Sequence, residues 1–181
     1  MARNSRKVRR RKQVSAPIEI REMELGDLKS VFELGQKVFT AENLPTLYRS
    51  WDEDEVVELF ASDSETCLVA EQDGNILGFA LGEMMEKPRS AWRYGWLEWL
   101  AVQPRFKRRG LATRLLARLT ELFITRDARI MLVDTDEENH EALAFFRRQG
   151  FGQELRHIYL SLNLESHPSY IERKDAEGEL D

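Results

Sequence analysis

The fold is decided by the stretch Trp99-Leu100-Ala101-Val102-Gln103-Pro104-Arg105-Phe106-Lys107-Arg108-Arg109-Gly110-Leu111-Ala112-Thr113. It predicts a strand, a basic loop and the first turn of a helix. The start of a helix presents backbone N–H groups and the positive end of the helix dipole. Gly110 allows a positive φ or a close approach of the backbone, and Ala112 leaves room in the first turn. With three cations beside it, this segment predicts an anion site, and a diphosphate is the best-matched ligand.

The loop does not match two well-known phosphate-binding patterns. A Walker A loop needs a second glycine followed by Lys-Ser or Lys-Thr, and a Rossmann loop needs Gly-x-Gly-x-x-Gly. Taken alone, a basic loop before a helix is also typical of a solvated charged surface. The sequence on either side of the loop is therefore needed to choose between an anion site and a solvated charged surface.

Upstream of the loop, the sequence predicts two helices between strands. A strand over residues 18–23 precedes a helix capped near Gly26-Asp27. Asp52 caps a second helix, whose expected inward positions are Val56, Val57, Leu59 and Phe60. Strands over 66–71 and 76–86 are joined by an Asp-Gly turn, which is a strong hairpin signal. A further strand spans residues 92–102.

Downstream, two helices alternate with strands. A helix over residues 110–125 precedes a short apolar strand, residues 129–135, expected to be buried on both faces. A helix over residues 139–149 ends at Gly150, and Phe151 with residues 157–164 supplies the closing strands. The order β-α-α-β-β-β-α-β-α-β-β predicts an α/β domain with a mixed central sheet flanked by helices, over residues 17–165.

Two motifs resemble those of a known family. Leu100-Ala101-Val102-Gln103-Pro104, followed by Lys107-x-x-Gly110-x-Ala112, is similar to the strand end and (Gln/Arg)-x-x-Gly-x-(Gly/Ala) loop of the GNAT N-acetyltransferases. Lys107 departs from the first position. Asn139, then Ala142-Leu143-Ala144-Phe145-Phe146 and Gly150-Phe151, is similar to the second motif of that family, which often has Tyr where this chain has Phe146. Within the family the chain resembles ribosomal-protein-alanine acetyltransferases.

The resemblance implies a GNAT fold with acetyl-CoA as co-substrate and no metal. The backbone of Leu100, Ala101 and Val102 would pair with the pantetheine arm as an added strand does. Asn139 would contact the cofactor further along, and Phe146 would line its thioester end, with core packing the alternative for Phe145 or Phe146. The diphosphate would be held by the loop and the helix start, which comprise Lys107, Arg108, Arg109, Gly110, Leu111, Ala112 and Thr113.

Acetyl transfer to an amine requires a neutral amine, and amines are mostly protonated at neutral pH. A general base is therefore expected. Glu98, on the central strand, is the first candidate, and Asp134, at the end of the next strand, is the second. Glu83 and Tyr94 are weaker candidates, and an ion pair with Arg93 is the alternative role for Glu98.

Two further groups would be needed in the transition state. A backbone N–H near Val102 would stabilise the oxyanion. In family members with Tyr at the position of Phe146, the phenol can protonate the departing thiolate, which Phe cannot do. No general acid is therefore assigned.

The acceptor is expected to be a primary amine on a peptide N-terminus, a lysine or a small molecule. The helix pair over residues 27–62 and the loop 86–92 would select it, with Trp51, Trp92 and Trp96 as channel walls or as core residues. Acidic residues cluster at Asp52-Glu53-Asp54-Glu55 and Glu58 and would favour a cationic acceptor. A solvated helix face is the alternative.

Composition restricts the other classes of protein. The single cysteine, Cys67, excludes an internal disulfide and fits a reducing cytoplasm, and we expect it to be buried. The three histidines have no metal-ligand spacing. No segment has the roughly 20 apolar residues that span a bilayer, so no membrane contact is expected. The sequence leaves monomer and homodimer open.

Both ends of the chain differ from the domain between them. Residues 1–16 carry seven basic and no acidic side chains; since the whole chain carries −5, the rest carries −12. We expect this basic segment to be disordered, and either a solubilising tail or a contact with nucleic acid or the ribosome. Residues 166–181 are predicted to be a loose acidic tail. A non-catalytic CoA sensor, or a ribosome- or RNA-associated adaptor, is the alternative function.

Overall fold

The structure is a computed structural model that describes residues 16–40, 42, 51–86, 92–156, 158, 160 and 162–178. The basic segment lies outside these residues, apart from Ala16. The chain forms two compact units, which divide between Gln149 and Gly150.

The first unit is a mixed five-stranded sheet with helices. Its strands lie side by side in the order β1-β2-β3-β4-β5, antiparallel except for the parallel pair β4–β5. The helix α3 forms the crossover between those two strands. In chain order the elements are β1 (Glu19–Glu22), α1 (Leu28–Val38), α2 (Glu53–Asp63), β2 (Cys67–Gln72), β3 (Asn75–Glu86), β4 (Arg93–Val102), α3 (Leu111–Thr125), β5 (Ala128–Val133) and α4 (His140–Arg148). The predicted α/β class with a mixed sheet is confirmed.

Two local structures, a turn and a helix cap, form as the sequence predicts. Asp73 and Gly74 have φ values of 50° and 76° between the paired residues Gln72 and Asn75, so the hairpin closes on a two-residue turn. Asp52 caps α2, since its Oδ1 accepts a hydrogen bond from the backbone N–H of Glu55 at 2.8 Å.

Helices cover both faces of the sheet. On one face α1 and α2 pack against β3 and β4 in a core cluster that includes Val31, Leu34, Val56, Leu59, Phe79, Leu81, Trp99 and Ala101. On the other face α3 lies so close to the sheet that a Cβ on Gly95 would overlap the buried ring of Phe123. Cys67 is buried as expected, and burial raises the pKa of its thiol to about 12.

Two predictions of burial are wrong. Val57 is 43% exposed, because the face of α2 that is buried in the core carries Val56 and Leu59. The apolar residues of β5, Ile130 to Val133, are half-buried and not buried on both faces. Within the described residues β5 is an edge strand, and an edge strand has a neighbour on one side only.

The second unit differs from the sequence-based prediction. The described residues between Phe151 and Asn163 form no strand; His157, Tyr159 and Ser161 lie outside the description. A closing strand was predicted over residues 157–164, but the side chains of Ile158, Leu160 and Leu162 are 71–92% exposed, and a strand requires a partner backbone. The predicted loose tail contains a helix, α5 (Pro168–Gly178).

Arg21 connects three parts of the first unit. Its guanidinium donates to both carboxylate oxygens of Asp27, at 2.6 and 3.0 Å, and to Glu71 on β2 at 3.0 Å. The hydrogen bonds from Arg21 hold the pKa values of the Asp27 and Glu71 carboxyls below their ordinary range. A lowered carboxyl pKa stabilises the fold above the unfolded pKa of about 4, and that contribution is lost as the pH falls below it.

We therefore expect Arg21→Gln to lower the free energy of unfolding by about 1–3 kcal/mol at pH 7. The difference from wild type should begin to shrink below about pH 4 and should disappear as the pH falls through the lowered pKa values of Asp27 and Glu71 in the folded protein. Urea unfolding at pH 7 and pH 3 measures it. Arg118→Gln removes an exposed guanidinium that pairs with Glu121 on the same helix, and it should cost under about 0.5 kcal/mol. If Arg21→Gln lowered the free energy of unfolding equally at both pH values, the stabilisation by Arg21 would not come from its ion pairs.

Candidate active site

The sheet opens between β4 and β5. Their last paired residues are Leu97 and Val133, whereas β4 continues to Val102. Beyond that point, among the residues that the structure describes, Leu100, Ala101 and Val102 pair with β3 on one side only. The side of β4 that faces away from β3 is therefore available to an added extended chain.

A register shift at Glu98 lies at this opening. Trp99 faces Leu81 on β3 and Leu97 faces Gly82, so Glu98 is the extra residue of a β-bulge. A bulge bends its strand and increases the local twist. The bend of β4 thus coincides with the point at which β5 ends. Glu98 itself is half-buried.

The predicted anion loop has a backbone that suits this role. Arg108 and Gly110 have left-handed φ values of 62° and 75°, and Gly110 is the N-cap residue of α3. A Cβ on Gly110 would meet no atom within 4 Å, so the positive φ, and not lack of room, favours glycine. Space is therefore open above the first amides of α3.

The side chains of the predicted diphosphate set divide into two groups. Leu111 is buried, so only its backbone N–H can serve a ligand, and Ala112 is half-buried. The other members are exposed: Lys107, Arg108, Arg109, Gly110 and Thr113. The Lys107 Nζ lies 3.3 Å from Glu141 Oε2 and so connects the loop to the first turn of α4.

The helix α4 supplies the two remaining cofactor candidates. Asn139 caps this helix, since its Oδ1 accepts a hydrogen bond from Ala142 N at 3.1 Å, which makes the side-chain NH2 the group that can donate to a ligand. Phe146 is 9% exposed and contacts Phe145 with a centroid distance of 5.2 Å. Packing accounts for the position of Phe146, and its contact with a thioester stays a prediction.

The two candidate bases lie at the end of the opening away from the loop. Glu98 is at the bulge, and Asp134 follows β5 directly and is exposed. The indole of Trp96 donates to Asp134 Oδ1 at 3.3 Å. The sequence alone did not predict this hydrogen bond, because Trp96 and Asp134 are far apart in the chain and α3 lies between their strands.

Another carboxylate near the bulge was not singled out individually in the sequence. Glu55 on α2 accepts a hydrogen bond from the indole of Trp99 at 3.1 Å. Trp51 was predicted to be a channel wall or a core residue. Its ring centroid lies 5.3 Å from that of Phe79 and 5.1 Å from that of Trp99, so it packs in the core. Trp92 is 47% exposed, and most of the loop 86–92 lies outside the described residues.

Metal-ligand clusters and membrane-spanning helices are both absent from the described residues. These residues contain no group of three or more His, Cys, Asp or Glu side chains that could hold a metal ion. None of the helices described is both long and apolar enough to cross a bilayer.

The architecture is similar to that of solved acetyltransferases. An aminoglycoside N-acetyltransferase AAC(6')-Iy in complex with CoA superposes with a TM-score of 0.63 at 22% identity, covering 83% of this chain and 97% of that one. An acetyltransferase from Trypanosoma brucei gives 0.60 at 24% identity, covering 81% and 100%. Ard1 from Thermoplasma volcanium gives 0.61 at 20% identity, covering 84% and 90%.

The sequence itself gives the family assignment. The model of the acetyltransferase (GNAT) family matches residues 29–151, which include β4, the basic loop, α3, β5 and α4. The chain therefore belongs to the acetyltransferase (GNAT) family, and it is an acetyltransferase that uses acetyl-CoA as its co-substrate.

Proposed function

We propose that this enzyme transfers the acetyl group of acetyl-CoA to a primary amine in the opening between β4 and β5. The proposal depends on three features that occur at one end of the sheet. The pairing of β5 with β4 ends at Val133, β4 has a bulge at Glu98, and the loop before α3 contains residues with left-handed φ values. Together they provide a backbone edge for the pantetheine arm and a helix N-terminus for the diphosphate.

The charge of the loop suits a diphosphate. In the proposed complex the first amides of α3 donate to the phosphate oxygens, with the cations of residues 107–109 beside them. The open space at Gly110 admits the phosphates close to the backbone. Leu100, Ala101 and Val102 then offer their β5-side N–H and C=O groups to the amides of the pantetheine arm.

Acetyl-CoA supplies an activated acyl group and a thiolate leaving group. The residues of this chain have to remove a proton from the amine and stabilise the developing oxyanion. Glu98 and Asp134 are the proposed proton acceptors, and a backbone N–H near Val102 is the proposed oxyanion donor. As the amine nitrogen bonds to the carbonyl carbon, the C–S bond breaks and the thiolate takes up a proton.

A cationic acceptor suits the carboxylates around the opening. Glu55, Glu98 and Asp134 come from α2, β4 and β5, so an amine at the bulge approaches several negative groups. A peptide N-terminus, a lysine and a polyamine share this cationic character. The aminoglycoside N-acetyltransferases among the similar structures are named for substrates of the same chemical class.

The diphosphate assignment predicts a charge-specific effect at Gly110. Gly110→Asp should weaken acetyl-CoA binding at least tenfold relative to Gly110→Asn, since both residues tolerate a left-handed φ but only Asp adds a negative charge. Isothermal titration calorimetry of acetyl-CoA with wild type and both variants measures this. Equal affinities of the Asp and Asn variants would refute the assignment.

The base assignment predicts a pH-dependent loss of turnover. Whichever of Glu98→Gln and Asp134→Asn removes the base should lower kcat/KM for the amine about 100-fold or more near pH 7. The loss should shrink towards pH 10, where a larger fraction of the amine is already neutral. Free thiol release across a panel of peptides, polyamines and aminoglycosides gives the rates.

Glu121→Gln is the matched control, because it removes an exposed carboxylate on α3 whose partner is Arg118. It should leave kcat/KM within about twofold of wild type. Full activity of both Glu98→Gln and Asp134→Asn would contradict these two carboxylates as bases. Acetyl-CoA binding without thiol release for any amine would favour the non-catalytic sensor.

A further inference from the structure

Two arginines converge on one aromatic ring at the start of the basic loop. The guanidinium carbon of Arg105 lies 5.1 Å from the centroid of the Phe106 ring, and that of Arg109 lies 5.5 Å from it. Both arginines are exposed, and Phe106 is half-buried. The ring thus holds two like charges near each other, which is favourable when an anion compensates for their repulsion.

Arg105 is also held in place from the sheet side. Its Nε donates to Gln103 Oε1 at 2.8 Å, and the Gln103 side chain donates to Ile76 O on β3 at 2.6 Å. The backbone N–H of Gln103 donates to Leu77 O at 2.8 Å. Because its Nε bond fixes the guanidinium, the two terminal NH2 groups of Arg105 are preorganised donors.

Three other cations near the sheet and loop have carboxylate partners. Arg21 pairs with Asp27 and Glu71, Arg93 with Glu86, and Lys107 with Glu141. Among the described residues, neither Arg105 nor Arg109 is in an ion pair with an acidic side chain. In a chain of net charge −5, two unneutralised arginines on one ring indicate a binding site for an external anion.

We propose that Arg105 and Phe106, together with Arg109 at the edge of the diphosphate loop, form an adjoining anion site, which binds the 3′-phosphate of the CoA nucleotide. This inference rests on the proposed placement of the diphosphate on residues 107–112. Pantetheine and nucleotide leave the diphosphate in different directions, and β4 provides the pantetheine side. The ribose phosphate is a dianion that matches the planar, two-NH2 end of a guanidinium.

The site would make the enzyme selective for CoA over other acyl thioesters. Dephospho-CoA has the same diphosphate and pantetheine but lacks the 3′-phosphate. Acyl carriers that present only a phosphopantetheine arm lack the nucleotide altogether. Arg105 would then select the acyl donor without touching the reacting atoms.

The test is the affinity for acetyl-CoA against acetyl-dephospho-CoA, measured by calorimetry. Wild type should bind acetyl-CoA about tenfold more tightly. Arg105→Gln should weaken acetyl-CoA binding about five- to tenfold and change acetyl-dephospho-CoA binding less than twofold. Arg105→Lys, which keeps the charge but loses the fork, should fall between wild type and Arg105→Gln.

Arg118→Gln is the matched control, since it removes one exposed guanidinium from α3 and should change neither affinity beyond twofold. A wild type that does not distinguish the two donors would overturn the inference, as would an Arg105→Gln variant that weakens both donors equally. The proposed diphosphate site fails separately, if Gly110→Asp and Gly110→Asn bind acetyl-CoA equally. These binding measurements do not depend on the identity of the amine.

Discussion

The separation of β4 from β5 beyond Leu97 and Val133 is the constraint on which the proposed site depends. Backbone N–H and C=O groups need partners, and a strand paired on one side only can accept an extended ligand as its next neighbour. Because β4 and β5 are parallel and α3 connects them, the loop after β4 and the N-terminus of α3 lie at the same end as the opening. The topology therefore brings a free backbone edge and an anion-binding helix start together.

The elements around the opening are held by tightly packed contacts. Gly95 allows α3 to lie against β4 through Phe123, and the buried Leu111 fixes the first turn of the same helix. On the opposite face Trp99 packs in the core and donates to Glu55. The loop is thus anchored at both ends, and a preorganised loop loses little conformational entropy when it binds phosphates.

Local signals in the sequence were sufficient for much of the fold. The Asp73-Gly74 turn and the cap at Asp52 depend on residues within a few positions, and both form as predicted. The described residues within the strand expected over residues 157–164 form no strand, because a strand requires a partner that its own sequence does not specify. The helix over residues 168–178 was missed because it lacks an apolar period.

The candidate site also combines features that depend on one segment of the sequence with features that depend on two segments. The loop is contiguous, so its residue types predicted an anion site, and the neighbouring motifs favoured that site over a solvated charged surface. The bulge at Glu98 depends on which residues of β3 face β4, and the Trp96–Asp134 bond joins strands separated by a whole helix. Such features follow from the register of the sheet, which no single segment of the sequence determines.

The proposed site is electrically polarised along its length. Cations surround the loop, whereas Glu98, Asp134 and Glu55 lie around the bulge. An anionic donor and a cationic acceptor would thus be drawn to opposite ends of one opening and meet where the acetyl group lies. The phenylalanine at position 146 leaves no proton deficit in this arrangement, because a protonated amine releases two protons on becoming the amide; the thiolate takes up one and the other passes to solvent. A carboxyl group that has accepted the proton of the amine becomes an acid, and it can return that proton through water to the thiolate.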